Sequence, residues 1–115
     1  MSASAPFVRG TEAEWEVAGV GVRRQILGYG DDLMMVRVAF DAGATGALHH
    51  HPHRQATYVA AGRFEVTVGE EVQQLDQGDC FFAIAEVPHG VRALTAGMLV
   101  DTFTPARADF LTATS

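Results

Sequence analysis

The chain has 115 residues, 48% of them hydrophobic and 19% charged, with a net charge of −6. That length makes one domain with one real core, and the acidic balance lacks the basic footprint that a phosphate backbone requires, so nucleic-acid binding is not expected. No apolar run is long enough to span a membrane, "MSASAPFVRG" has no signal-peptide pattern, and the single cysteine, Cys80, fits a reducing compartment, so the expected location is the cytoplasm.

Twelve glycines and four prolines divide the chain into short pieces. Residues 11–17 fit a helix or a strand. Residues 22–29 read as a strand that ends at the "GYGDD" turn. Residues 33–40 alternate, with Met34, Val36, Val38 and Phe40 to one side and Arg37 to the other. Residues 47–60 read as a strand, at an edge or kinked at Pro52, which has no N–H for a ladder bond. Residues 63–68 place Phe64, Val66 and Val68 inward. A turn at 69–71 returns the chain through 72–75 as a hairpin. A second turn at 76–79 leads to the apolar run 80–85, in which Cys80 is expected as a small buried residue. Residues 91–94 and 98–103 form a further hairpin around 95–97. Residues 105–111 begin with a proline where a helix can start. Many short strands with glycine-rich turns predict an all-β sandwich or small barrel. The inward rows of such a barrel can converge on a metal or a small molecule.

Four of the five histidines fall in "HHHPHRQ", residues 49–55. A solvated loop is one explanation. On a strand, however, His49, His51, His53 and Gln55 share one face, with His50 and Arg54 on the other. His-x-His then sets two imidazoles side by side, close enough to chelate one ion. Neutral imidazole is a favoured ligand for Zn, Cu, Fe and Ni, and Gln55 can add a carbonyl oxygen. His89, in "VPHGV", supplies a third imidazole. His53 is balanced between the pocket and the surface, and His50 reads as surface.

These residues resemble the cupins. Gly43, His49, His51 and Gly62 fall on the first cupin motif, with Gln55 at its Glu place. Gly78 and His89 fall on the second, with Ile84, Glu86 and Ala93 at its Pro, Gly and Asn places. The resemblance implies an RmlC-like double-stranded β-helix (jelly-roll) barrel occupying residues 1–115 as a single domain. Its core runs roughly over 30–104, after an N-terminal arm (1–29) and before a C-terminal tail (105–115). The ligands it implies are His49, His51, Gln55 and His89, around a divalent transition metal such as Zn, Ni, Mn or Fe.

"HHHPHRQATYVAAGRFEVTVG", "VPHGVRAL" and "VDTFTPARADFL" are similar to the KdgF-type pectin-degradation proteins, small cupins with a Gln ligand. That resemblance implies opening of 4,5-unsaturated uronates to linear keto sugar acids. It assigns Asp101 as acid/base, Phe103 as pocket aromatic and Arg107 as carboxylate binder. Arg54 and the proline-poor "AIAEVPHG" depart from the pattern. The resemblance further implies a sugar-acid substrate and a homodimer paired by N-terminal strands, where Trp15 would pack. Two other readings stand beside it. One is a dioxygenase acting on a small enolic or phenolic substrate through a redox metal. The other is a non-catalytic cupin that binds a sugar or small molecule. On the plainer view Asp101 is a solvent-facing strand carboxylate and Arg107 pairs with Asp109. Tyr58 and Phe81 are expected in the core or pocket lining.

Overall fold

Alternation of apolar and polar residues sets the strands. In residues 63–68, Phe64 and Val66 are buried between less buried neighbours, the period-2 signature of a sheet with one face on a core. The computed structural model describes residues 3–112. Its strands are β1 (Trp15–Gly19), β2 (Val22–Tyr29), β3 (Met34–Phe40), β4 (Thr45–His49), β5 (Arg54–Ala61), β6 (Arg63–Val68), β7 (Glu71–Asp76), β8 (Cys80–Ala83), β9 (His89–Ala93) and β10 (Gly97–Thr104). A short helix, α1 (Ala108–Thr112), follows. The helix-or-strand ambiguity at 11–17 resolves as a strand from Trp15, and that at 105–111 as α1 beyond Pro105.

The strands form two antiparallel sheets. One has six strands in the order β1-β2-β3-β10-β5-β8, the other four in the order β4-β9-β6-β7. Between them lies a cluster of Val22, Phe40, Val59, Phe64, Val66, Phe81, Ala93 and Leu99. A second cluster of Met34, Val36, Phe103 and Ala106 fills one end. Gly43, Gly62 and Gly78, the motif glycines, all adopt left-handed φ (83°, 85° and 96°), which glycine takes without steric cost. Among the described residues no helix is long and apolar enough to cross a membrane.

Four expectations need correction, those for Cys80 and Tyr58 among them. Residues 91–94 and 98–103 form no hairpin, because β9 lies in the four-stranded sheet and β10 in the six-stranded one. The stretch 47–60 is not one strand: β4 belongs to the four-stranded sheet and β5 to the six-stranded one. The break spans residues 50–53, where Pro52 cannot donate to a ladder and the chain crosses between sheets. Cys80 is exposed rather than buried. Alternation along β8 turns Phe81 and Ala83 inward, so Cys80 lies on the outer face beside its cross-strand partner Tyr58. Tyr58 is exposed for the same reason, whereas Phe81 packs in the core as expected.

Phe64 is fully buried and meets Phe40 edge-on with ring centroids 5.2 Å apart. Phe64→Ala should lower the unfolding free energy by about 3–5 kcal/mol. Denaturant melts would read this as a lower midpoint at unchanged slope, and an unchanged midpoint would remove Phe64 from the core account.

Candidate metal centre

The register of the two sheets assembles the site. His49 on β4 lies directly across from His89 on β9. That approach needs Gly90, because a Cβ there would meet the backbone of Gly46 and Leu48 at 3.0 Å. On the facing sheet, Gln55 and Thr57 of β5 lie opposite Phe103 and Asp101 of β10. His51 sits on the crossing between the sheets. Its ring centroid is 5.3 Å from that of His49 and 4.7 Å from that of His89. One nitrogen from each of the three imidazoles falls within 4.8 Å of the others. His51 and His89 are buried, and His49 is exposed at the mouth.

Proton positions follow from the partners. The Nδ1 atoms of His49, His51 and His89 face the carbonyl oxygens of Ala47, His53 and Val87 at 2.7, 2.9 and 2.9 Å. A carbonyl only accepts, so each Nδ1 carries the proton and each neutral ring presents a bare Nε2. The Nε2 atoms of His51 and His89 both lie 3.1 Å from Oε1 of Gln55. Lone pairs therefore meet lone pairs, in a buried place where an unpartnered acceptor is costly. A divalent cation resolves that arrangement, and three imidazole nitrogens plus an amide oxygen are a suitable donor set for one. The three histidines could thus hold a metal ion. Burial pushes both His51 and His89 below the ordinary imidazole value, with the neighbouring His49 adding to the effect, which favours the neutral form that a cation would need.

Gln55 is held from behind. Its Nε2 donates to Oγ1 of Thr57 at 2.9 Å and to Oδ1 of Asp101 at 3.3 Å. Thr57 in turn donates to the same Oδ1 at 2.6 Å. Asp101 lines an interior cavity of about 140 Å³ together with Gln55, His89, Arg24 and an apolar floor of Val22, Val36, Val38 and Leu99. It is therefore not a solvent-facing strand carboxylate. Burial raises its pKa to about 6, against the opposing pull of Thr57 and of the Arg107 charge.

Arg107 pairs with Asp109 and also stands beside the site. Its guanidinium stands 5.3 Å from the Phe103 ring centre, and its charge acts on His51, His89 and Asp101. It also pairs with Asp109 through two hydrogen bonds of 3.0 and 2.8 Å. Phe103 is buried, edge-on to His51 at 5.8 Å. His53 is half-buried against His51 and Phe103, so it borders the site. His50 is exposed and pairs with Glu86 at 3.0 Å, a bridge of little energetic weight. Glu86 occupies the motif's Gly place and takes a φ of 66°, a strain of roughly 1–2 kcal/mol for a residue with a Cβ. Its N–H donates to the His51 carbonyl at 2.8 Å, tying the turn to the histidine loop.

Sequence reasoning missed Thr57, Arg24 and Phe110. Thr57 has the same strand parity as Gln55, which was the available signal. Arg24 shares parity with Val22 and Ile26. Its guanidinium lies 3.8 Å from the Phe110 ring centre, and Arg107 lies 4.3 Å from the same ring. Nothing in the local pattern of residues 105–111 placed Phe110 there.

Because His51 and His89 titrate below 6.5 when folded, the unfolded chain takes up their protons first. Their contribution to stability is complete above about 6.5 and is lost as pH falls. Asp101 runs the opposite way: its contribution is complete below 3.8 and is lost as pH rises through about 6. Between pH 7.5 and 6 the imidazoles and the carboxyl oppose each other, and Asp101→Asn removes the carboxyl's part. The metal-free Asp101→Asn variant should therefore melt at a lower temperature at pH 6 than at pH 7.5, and a flat or inverted profile by calorimetry would contradict the lowered pKa values of His51 and His89.

Comparison with known proteins places this geometry. Residues 36–103 match the Cupin domain family. The chain is 49% identical over 102 residues to the pectin degradation protein KdgF of Dickeya dadantii (strain 3937), covering 87% of this chain and 93% of that protein. An RmlC-like cupin from Shewanella frigidimarina NCIMB 400 superposes with a TM-score of 0.93 at 44% identity, covering 96% of this chain and 99% of the other. KdgF from Halomonas sp. superposes with a TM-score of 0.89 at 38% identity, covering 93% and 99%. The two-sheet barrel, the histidine convergence and these similarities together identify the chain as a member of the cupin family, within the group that contains KdgF.

Proposed function

We propose that this cupin acts in pectin degradation as a metal-dependent enzyme that opens 4,5-unsaturated uronates to linear keto sugar acids. The observation that carries the reading is Asp101. In a chain 49% identical to a KdgF, a carboxyl of pKa about 6 shares one cavity with Gln55 and His89.

The reaction is an isomerisation. The anomeric hydroxyl loses its proton, the bond from C1 to the ring oxygen breaks, and C1 becomes an aldehyde. The ring oxygen stays on C5 as an enolate. C4 then gains a proton and C5 becomes the ketone. One proton is removed and one is delivered, with no redox change. A carboxyl near pKa 6 populates both forms at neutral pH, so Asp101 can accept one proton and deliver the other. His49, His51, Gln55 and His89 would hold the cation. A bound divalent ion supplies Lewis-acid polarisation of substrate oxygens, so Zn, Ni, Mn or Fe would each serve. The donor set is neutral and leaves the ion its full charge.

Arg107 binds the uronate carboxylate. Asp109 engages two of its five N–H groups, and the rest suit a planar anion. The Phe103 and Phe110 rings, with centres 5.3 and 4.3 Å from the guanidinium, hold it beside the site by cation–π attraction. The apolar cavity floor keeps water from the reacting atoms. The working unit in this reading is a homodimer paired through β1. That strand is a sheet edge on which Val17 is exposed, the kind of surface that recruits a second chain.

Metal-loaded protein mixed with unsaturated galacturonate should erase the alkene absorbance faster than the spontaneous reaction. Asp101→Asn should cut kcat by about 10²–10⁴-fold while retaining metal content. Absence of turnover above background, or an Asp101→Asn variant of full activity, would refute the proposal.

A further inference from the structure

The Gln55 side chain has two ends that differ in what they can do. Its oxygen can serve a cation and its NH₂ cannot. Turned end for end, the NH₂ would donate to the bare Nε2 atoms of His51 and His89, a favourable bond in the absence of a metal. Some other interaction must therefore select the orientation that faces the oxygen toward the histidines.

Thr57 occupies the place from which that selection is made. It is fully buried and absent from the lining of the cavity, so it acts only through its neighbours. A hydroxyl has one proton to donate. Here that proton goes to Oδ1 of Asp101, its direct cross-strand partner, at 2.6 Å. The hydroxyl oxygen is then left as an acceptor, and Nε2 of Gln55 donates to it at 2.9 Å and to Asp101 Oδ1 at 3.3 Å. With the amide reversed, Oε1 would face two acceptors at those distances. The arrangement holds whether or not Asp101 carries a proton on its other oxygen.

We propose that Thr57 is a positioning residue of the metal centre: anchored on Asp101, its hydroxyl locks the Gln55 amide with its carbonyl oxygen toward the histidines. This rests on the reading of Gln55 as a ligand. It also accounts for an amide at position 55 where the cupin motif has a carboxylate. A glutamate there would set a second acceptor group against Thr57 and Asp101.

The test uses Co²⁺ as the metal, read by its visible d–d spectrum and by competitive titration against a chelator of known affinity. Thr57→Val keeps the side-chain shape and deletes the hydroxyl. It should weaken Co²⁺ binding about 10–100-fold, the usual effect of losing an outer partner of a ligand, and alter the d–d bands. Thr57→Ser should restore both to within a few-fold of the wild type. Should the valine variant fail to fold, Thr57→Ala carries the same expectation. Gln55→Ala separates the two claims. If it leaves affinity and spectrum unchanged, Gln55 is not a ligand and the underlying reading falls. If it weakens binding while Thr57→Val and Thr57→Ala do not, Thr57 has no positioning role.

Discussion

Two imidazole nitrogens and an amide oxygen with no proton between them, pressed to 3.1 Å inside a barrel, are the constraint on which the rest of this molecule turns. Each Nδ1 spends the ring's one proton on a backbone carbonyl. The geometry could therefore hold an ion. Left alone it is a store of unsatisfied acceptors; closed by a cation it becomes a stapled junction between the two sheets.

The junction explains several features that look unrelated. Pro52 ends one strand so that the chain can cross from sheet to sheet, which puts His51 between its two partners. Gly90 lets β4 approach β9 beside the His49–His89 pair. Glu86 accepts a left-handed backbone and binds the histidine loop from the other side. Behind the histidines, the cross-strand pair Thr57–Asp101 ties β5 to β10 and accepts hydrogen bonds from the Gln55 amide. Asp101 thus touches the Gln55–Thr57 pair and lines the cavity at once.

Much of this was legible in the residues. Period-2 alternation at 33–40 and 63–68 gave the correct inward faces because those strands have one side on the core. The His-x-His pair, Gln55 and His89 were visible as a donor set by chemistry alone. Their convergence was not, since His49 and His89 meet through strand pairing that has no local signature. A strand continued through Pro52 would have placed His49 and Gln55 in one sheet; they are in two. Cys80 misled because its neighbours are apolar, while a single-residue parity decides its face. Arg24 and Phe110 reach the site from opposite ends of the chain, and only tertiary packing brings them there.

The most direct test of the central claim is anomalous diffraction from crystals grown with one equivalent of divalent metal, collected at that metal's absorption edge. A single peak bonded to Nε2 of His49, His51 and His89 and to Oε1 of Gln55, at ordinary coordination distances of roughly 2.0–2.2 Å, is the predicted result. A peak lying elsewhere, or four side chains with no metal among them in a crystal that holds the ion, would contradict it.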